Sequence, residues 1–487
     1  MMEGQMAIMG LFTELLTVTA FLLTVVFVFW RPRGMNEAIP ASCGAALVLL
    51  SGSVTLADLG TITTTVGGAA ITILATMVMA NILESFGFFQ WAADLVAAKA
   101  KGSGIRLFWL VNLLCFLMTL FFNNDGSILI TTPILLILLR KLGLKPHQQI
   151  PYLLSGALTA TASSAPIGVS NIVNLIALRI VDMSLYMHTA MMFVPATLGL
   201  FVMVCLLYLY FRKNLPRKLK TTPVGPCEYP IPGYHPHHPP HPHRYWPEPW
   251  QKWEAAPFTA KVAAPSPLMQ RLTHPKARNK FMLNIFLFVF GVRVALFVAS
   301  YVGIPVPLAA VTGSVVLLIW RWIYAKITPV DMIKKTPWYI LVFAFSMYVV
   351  IYGLYKIGLA DWIVLHLHPI VTGSLFHSAF IMGILVSLMS DLFNNHPALM
   401  IGTLTLTKMH LTPLALKVSY LSTVIGSDMG SLLFPMGTLA TLMWMHICQK
   451  GKVKVSWGKY IRTTIVVIPV TVAFTLTVLY FWVSTLF

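Results

Sequence analysis

The chain has only 15 acidic residues in 487, and four of them stand in or beside apolar sequence, where a carboxylate has few solvating partners. Asp125 lies in "FFNNDGSILITTP" (121–133), Asp428 in "GSDMGSLLFPMG" (426–437), Asp391 just before "FNNHP" (393–397), and Glu84 near the end of an apolar run. A carboxyl group withdrawn from water keeps its proton more readily, so it can carry one across a hydrophobic layer. Asp125 and Asp428 are assigned that coupling role, against the blander reading of a carboxylate capping a half-helix. Asp391 and Glu84 are read as structural. Asn123, Asn124, Asn394 and Asn395 bring both donors and acceptors, and Ser170, Asn171 and Thr438 can add more. Such a set suits a small neutral polyhydroxyl solute or a hydrated cation. A di- or tricarboxylate would call for a Lys or Arg, and none stands in these stretches. The asparagines could instead only satisfy a turning backbone. His396 adds the side chain type that titrates near neutrality, a further candidate for proton coupling.

The elements that must position these groups are membrane helices. A chain that is 57% hydrophobic and 10% charged, with a mean hydropathy of +0.78, cannot hide its apolar surface in a water-soluble core. Runs near 8–30, 39–56, 66–86, 190–211, 280–300, 305–323, 337–355 and 463–485 approach the ~20 residues a bilayer needs. The first lacks a positive n-region and a cleavage site, so it reads as a retained helix. The limb from Ser127 to Leu139 would give about 20 Å of helix at ~1.5 Å per residue, short of a ~30 Å core. It should therefore turn back, and the limb after His396 likewise. In "TASSAPIGVSN" (161–171) and in 426–437, Pro and Gly interrupt two long helices. Non-helical backbone at membrane depth must face protein or a wet cavity, so two re-entrant tips and two helix breaks are expected to converge.

The halves echo each other. "FNNDG" from Phe122 matches "FNNHP" from Phe393, 271 residues on, and "APIG" from Ala165 matches "FPMG" from Phe434, 269 residues on. The expected architecture is an all-α polytopic membrane protein of about ten transmembrane helices plus two re-entrant hairpins, in two inverted repeats with two broken helices. The first repeat is 1–211: scaffold helices within 8–86, hairpin 105–139, broken helix 149–178 and helix 190–211. The second is 280–487: scaffold helices within 280–355, hairpin 374–407, broken helix 413–447 and helix 463–485. Between them, 212–279 is a Pro- and His-rich linker whose His235, His238 and His241 read as solvated rather than metal-binding.

The formal charge of +19 is an orientation signal rather than a nucleic-acid footprint. With both termini outside, only Arg179, Lys356, Lys408 and Lys417 fall on the outer face and Arg293 within a helix, the remaining Lys and Arg lying in the cytoplasm. Cys43, Cys115, Cys205, Cys227 and Cys448 are scattered, which suggests neither a disulfide framework nor a metal site. No HExxH and no paired carboxylates on one helix suggest an enzyme, and no cofactor is expected.

"FFNNDGSILITTPILL", "VSNIVN", "PWYILVFAFSMYVVIYGL", "FNNHPALMIGTLTL", "VIGSDMGSLLFPMGTLATLMWMH" and "VSWGKYIRT" resemble the ArsB arsenite and antimonite efflux pumps of the ion transporter superfamily. The resemblance runs from about residue 10 to the end, except for 221–275. It implies export of trivalent arsenic and antimony hydroxides in exchange for protons across the inner membrane, with a scaffold domain and a mobile transport domain. Some members couple to a soluble ATPase, ArsA, which implies a cytoplasmic docking surface. Carried onto this chain, the site residues are Asn124 and Asp125, then Ser170, Asn171 and Asn174, then Asn394 and Asn395, then Asp428, Gly430 and Gly437. The chain departs from the family pattern at Thr161, where Asp is usual, at His396, at Ser431, and at Phe434 and Pro435. Carboxylates and tip carbonyls would equally serve a sodium/proton antiporter or sodium-coupled symporter of the same superfamily, which is the alternative reading.

Overall fold

Lipid offers the backbone no hydrogen bonds, so each apolar run must satisfy its own amides as helix. In the computed structural model, which describes residues 2–32, 35–219, 275–325 and 328–487, helices and no strands are found among the described residues. The first half runs α1 (Met2–Trp30), α2 (Ala38–Leu50), α3 (Leu56–Ser85), α4 (Phe88–Ala100), α5 (Gly104–Phe121), α6 (Asn124–Lys141), α7 (Pro146–Ala162), α8 (Ile172–Ile180) and α9 (Leu185–Phe211). The second runs α10 (Pro275–Val302), α11 (Val306–Ala325), α12 (Val330–Lys335), α13 (Tyr339–Lys356), α14 (Leu359–Val371), α15 (Leu375–Phe393), α16 (Asn395–Lys408), α17 (Pro413–Asp428), α18 (Leu439–Lys450) and α19 (Trp457–Leu486). Most of the linker, with its three histidines, lies outside the described residues.

Among the described residues, nine helices are long and apolar enough to cross a membrane: α1, α3, α5, α9, α10, α11, α13, α15 and α19. Further crossings are built in pieces, by α7 with α8 and by α17 with α18. Two expected boundaries shift for local reasons. The 39–56 run yields only the 13 residues of α2, because Ser51, Gly52 at φ 77° and Ser53 end the helix. α3 then starts early, at a capping box between Thr55 and Asp58. The limb expected at Ser127–Leu139 is instead the 18-residue α6, about 27 Å at ~1.5 Å per residue. Asn123 caps it, so Asn124, Asp125 and Gly126 form its first turn. The first hairpin therefore turns because its sequence breaks the helix, not because the limb is too short. Three short helices were unforeseen: α12, together with α4 and α14, which each follow a left-handed glycine, Gly87 and Gly358.

Each hairpin lies along the broken helix of its own half, α5 on α7 and α15 on α17. Gly426 permits the second contact, since a Cβ there would overlap the Gly383 carbonyl. The helices after the breaks cross over: α8 packs on α16, and α18 on α6. This reciprocal exchange draws tips and breaks together. Around them, α2 packs on α1 and α13, α3 on α11 and α13, and α9 on α19.

Candidate functional site

At the first tip, Asn123 is extended (φ −164°, ψ 167°) and its Oδ1 accepts from Gly126 N at 2.9 Å. Asn124 Oδ1 accepts from Asp125 N at 2.7 Å. Both asparagines are buried, whereas Asp125 is half-buried in the first turn of α6, where the helix dipole favours negative charge. Asp125 is in electrostatic range of Asp428 and Glu37.

At the second tip, Asn394 caps α16 from an unusual backbone conformation (φ 81°, ψ 151°). Its Oδ1 accepts from His396 N at 3.2 Å, and His396 Nδ1 lies 3.1 Å from the same oxygen. The His396 ring meets Phe343 edge-on. Ser427 Oγ donates to the Asn395 carbonyl at 3.4 Å, joining this tip to the second break.

The two breaks meet at Asp428. Asn171 caps α8 and its Nδ2 donates to Asp428 Oδ1 at 3.1 Å, while Asn174 Nδ2 donates to Asp428 Oδ2 at 2.7 Å. Asp428 is fully buried at the C-terminal end of α17, so it does not cap its own helix. It reaches the N-terminal turn of α8 in the other half. Thr438 caps α18, with its hydroxyl accepting from Thr441 N and donating to Thr441 Oγ1. That hydroxyl is committed to the fold. Gly430 and Gly437 serve close approach, since a Cβ would overlap Ser387 at the first and the Ser431 carbonyl at the second. Asp391 Oδ1 accepts from Phe434 N at 3.1 Å and tethers the second break.

Several buried polar atoms of this region have no hydrogen-bond partner, among them Ser127 Oγ, Ser170 Oγ, Asn174 Oδ1, Ser390 Oγ, Asn394 Nδ2, Asn395 Oδ1, Ser431 Oγ, Asp391 Oδ2 and Arg293 Nη1. Buried polar atoms are normally paired, so a cluster of such exceptions spanning both halves marks a place for a polar guest. Seven of these nine are neutral amide or hydroxyl atoms, and Asp391 Oδ2 and Arg293 Nη1 are the charged exceptions. Among the described residues, no group of three or more His, Cys, Asp or Glu could hold a metal ion.

Some contributors belong to no motif. Ser127 follows the first tip within α6. Tyr420 donates from its hydroxyl to the Asn174 carbonyl at 3.3 Å, and that hydroxyl lies 3.4 Å from Nδ1 of buried His188. Their signal was a polar side chain inside an apolar helix, too common in a single sequence to single out. Arg293 had the stronger signal, as a charge in the middle of α10, and the structure brings it to the first tip.

A family model described as "Arsenical pump membrane protein", ArsB, matches residues 16–229 and 270–483. The chain belongs to the ArsB family. A Bacillus subtilis (strain 168) protein that bears the same description provisionally is 58% identical over 96% of this chain and 99% of its own. An Escherichia coli arsenical pump membrane protein is 28% identical over 93% of this chain and 95% of its own. The crystal structure of the Alcanivorax borkumensis YdaH transporter, said to have an unusual topology, matches with a TM-score of 0.50 at 15% identity, covering 87% of this chain and 88% of that one. It supports the fold alone. The 221–275 segment set aside in the sequence is largely the one the ArsB model passes over.

Proposed function

We propose that this chain, a multi-pass transporter of the arsenical pump family, exports arsenite and antimonite from the cytoplasm in exchange for protons. The observation that carries the reading is the set of unpartnered amide and hydroxyl atoms brought by Ser127, Asn394 and Asn395 at the tips and by Ser170, Asn174 and Ser431 at the breaks. A neutral trivalent hydroxide can donate to Ser170 Oγ, Asn174 Oδ1 and Asn395 Oδ1 and accept from Asn394 Nδ2 without demanding a counter-charge. Arsenite is largely neutral at cytoplasmic pH and meets that description.

In this reading Asn123, Asn124 and Asn171 shape the site, while Asp125, Asp428 and His396 are the proton-coupling candidates. Exchange follows if protonation and bound solute favour opposite-facing states. The inverted-repeat plan supplies those states, with hairpins and broken helices moving against α1–α3 and α10–α13. The membrane would be the inner one with both termini outside, and an ArsA-type ATPase would dock on the cytoplasmic face.

Arsenite uptake into inverted vesicles tests the proposal. Wild-type uptake should collapse with a protonophore, and Asp125→Asn should lower it at least tenfold at equal protein. Full activity in that variant would remove Asp125 from the coupling role. Uptake driven by a sodium gradient and indifferent to the protonophore would favour the sodium-coupled alternative.

A further inference from the structure

In an unbroken helix the amides of Asp125 and Gly126 would bond the carbonyls of Phe121 and Phe122. Here both amides are taken by the Asn124 and Asn123 side chains. The two carbonyls are left at the buried end of α5, and an orphaned buried acceptor is costly. Arg293 supplies the missing donors: Nε donates to the Phe121 carbonyl at 2.7 Å, and Nη2 to the Phe122 carbonyl.

Arg293 is poorly explained otherwise. It is the one charged residue of α10 beyond Lys280, it is 3% exposed, and no carboxylate pairs with it among the described residues. Its Nη1 is buried without a partner. Phe286 and Phe290, on the same face at positions i−7 and i−3, pack edge-on against Phe121, so this stripe of α10 is a seat for the tip. The second tip is built differently. Pro397 stands four residues after Phe393 and has no amide to give, and the contact from α1 is apolar, Phe21 on Phe393.

We propose that Arg293 is a positioning residue for transport: with Asn123 and Asn124 it completes the opening of the helix between Phe122 and Asn124, and so fixes where the first tip presents its polar groups to the solute. The inference rests on the transport reading above. The planar guanidinium fork reaches two carbonyls at once, which an ammonium does not match.

The test compares wild type, Arg293→Gln and Arg293→Lys by two readouts: arsenite KM and maximal rate in inverted vesicles, and hydrogen–deuterium exchange of residues 118–130 in reconstituted protein without solute. Arg293→Gln should raise KM about tenfold, with the maximal rate per protein within about twofold, and speed exchange at 122–127 about tenfold. Arg293→Lys should fall between. An unchanged KM, or a loss of maximal rate alone, would overturn the proposal, as would unchanged exchange at the tip. If the Gln variant is missing from the membrane, Arg293→Lys decides by the same criteria. If wild type moves no arsenite, the functional reading fails, and exchange still decides whether Arg293 sets the tip.

Discussion

Asn394 holds a backbone conformation (φ 81°, ψ 151°) that is nearly exclusive to glycine and costs other residues about 1–3 kcal/mol. Its side chain offsets part of that strain by capping α16, while its Nδ2 is buried without a partner. Asn394→Gly relieves the strain and removes the amide. It should leave the thermal midpoint in detergent within about 1 kcal/mol equivalent of wild type, while arsenite uptake falls at least tenfold. Uptake near wild type would show that Asn394 serves the backbone only. Asp428 presents the converse case, a carboxylate satisfied by two amides. Asp428→Asn keeps one acceptor oxygen and sets its new amide donor against the donor of Asn171 or Asn174 at the other position, a defect of roughly 1–3 kcal/mol. It should abolish proton-driven uptake with the protein still present in the membrane. At this scale the sequence was informative wherever polarity was conspicuous: Asn123, Asn124, Asp125, Asn394 and Asn395 fall where the helices break. It could not show that Thr438 is fully engaged in its cap, nor that Asp428 is held from the other half, because both depend on contacts across the fold.

Hairpins and broken helices were legible as elements because Pro, Gly and Asn interrupt apolar runs, and α15, α16, α17 and α18 follow those interruptions closely. The lengths were not. A side-chain cap such as Asn123 or Thr55 starts a helix before its apolar run, which hydropathy does not register, and Gly52 ends one early. α4 and α14 were missed because a short helix after a left-handed glycine carries no span-length signal. The close approach of α15 and α17 depends on Gly426. Gly426→Ala would force a methyl onto the Gly383 carbonyl and the Ser387 amide, and overpacking of this kind costs about 1–3 kcal/mol. A lower thermal midpoint together with reduced uptake is the expected result. An unchanged midpoint would mean that the two helices have room to separate.

For the whole molecule, the sequence echo indicated two related halves, and both follow the same order of scaffold helices, hairpin, broken helix and closing helix. What the echo could not reveal is that the halves exchange their post-break helices, α8 onto α16 and α18 onto α6. The ArsB family model passes over 230–269. Replacing 230–269 with a Gly/Ser segment of equal length should keep vesicle uptake within about twofold of wild type. A large loss would assign that segment a part in transport.

The exchange also bears on how the chain is made. Asn171 and Asn174 precede the carboxylate they bind by 257 and 254 residues. At a synthesis rate of ~5–20 residues per second, their amides wait in the membrane for roughly ten to fifty seconds before Asp428 exists. Throughout that interval the nascent first half carries an open polar seam, which water or an insertion factor must cover until the second half arrives to close it.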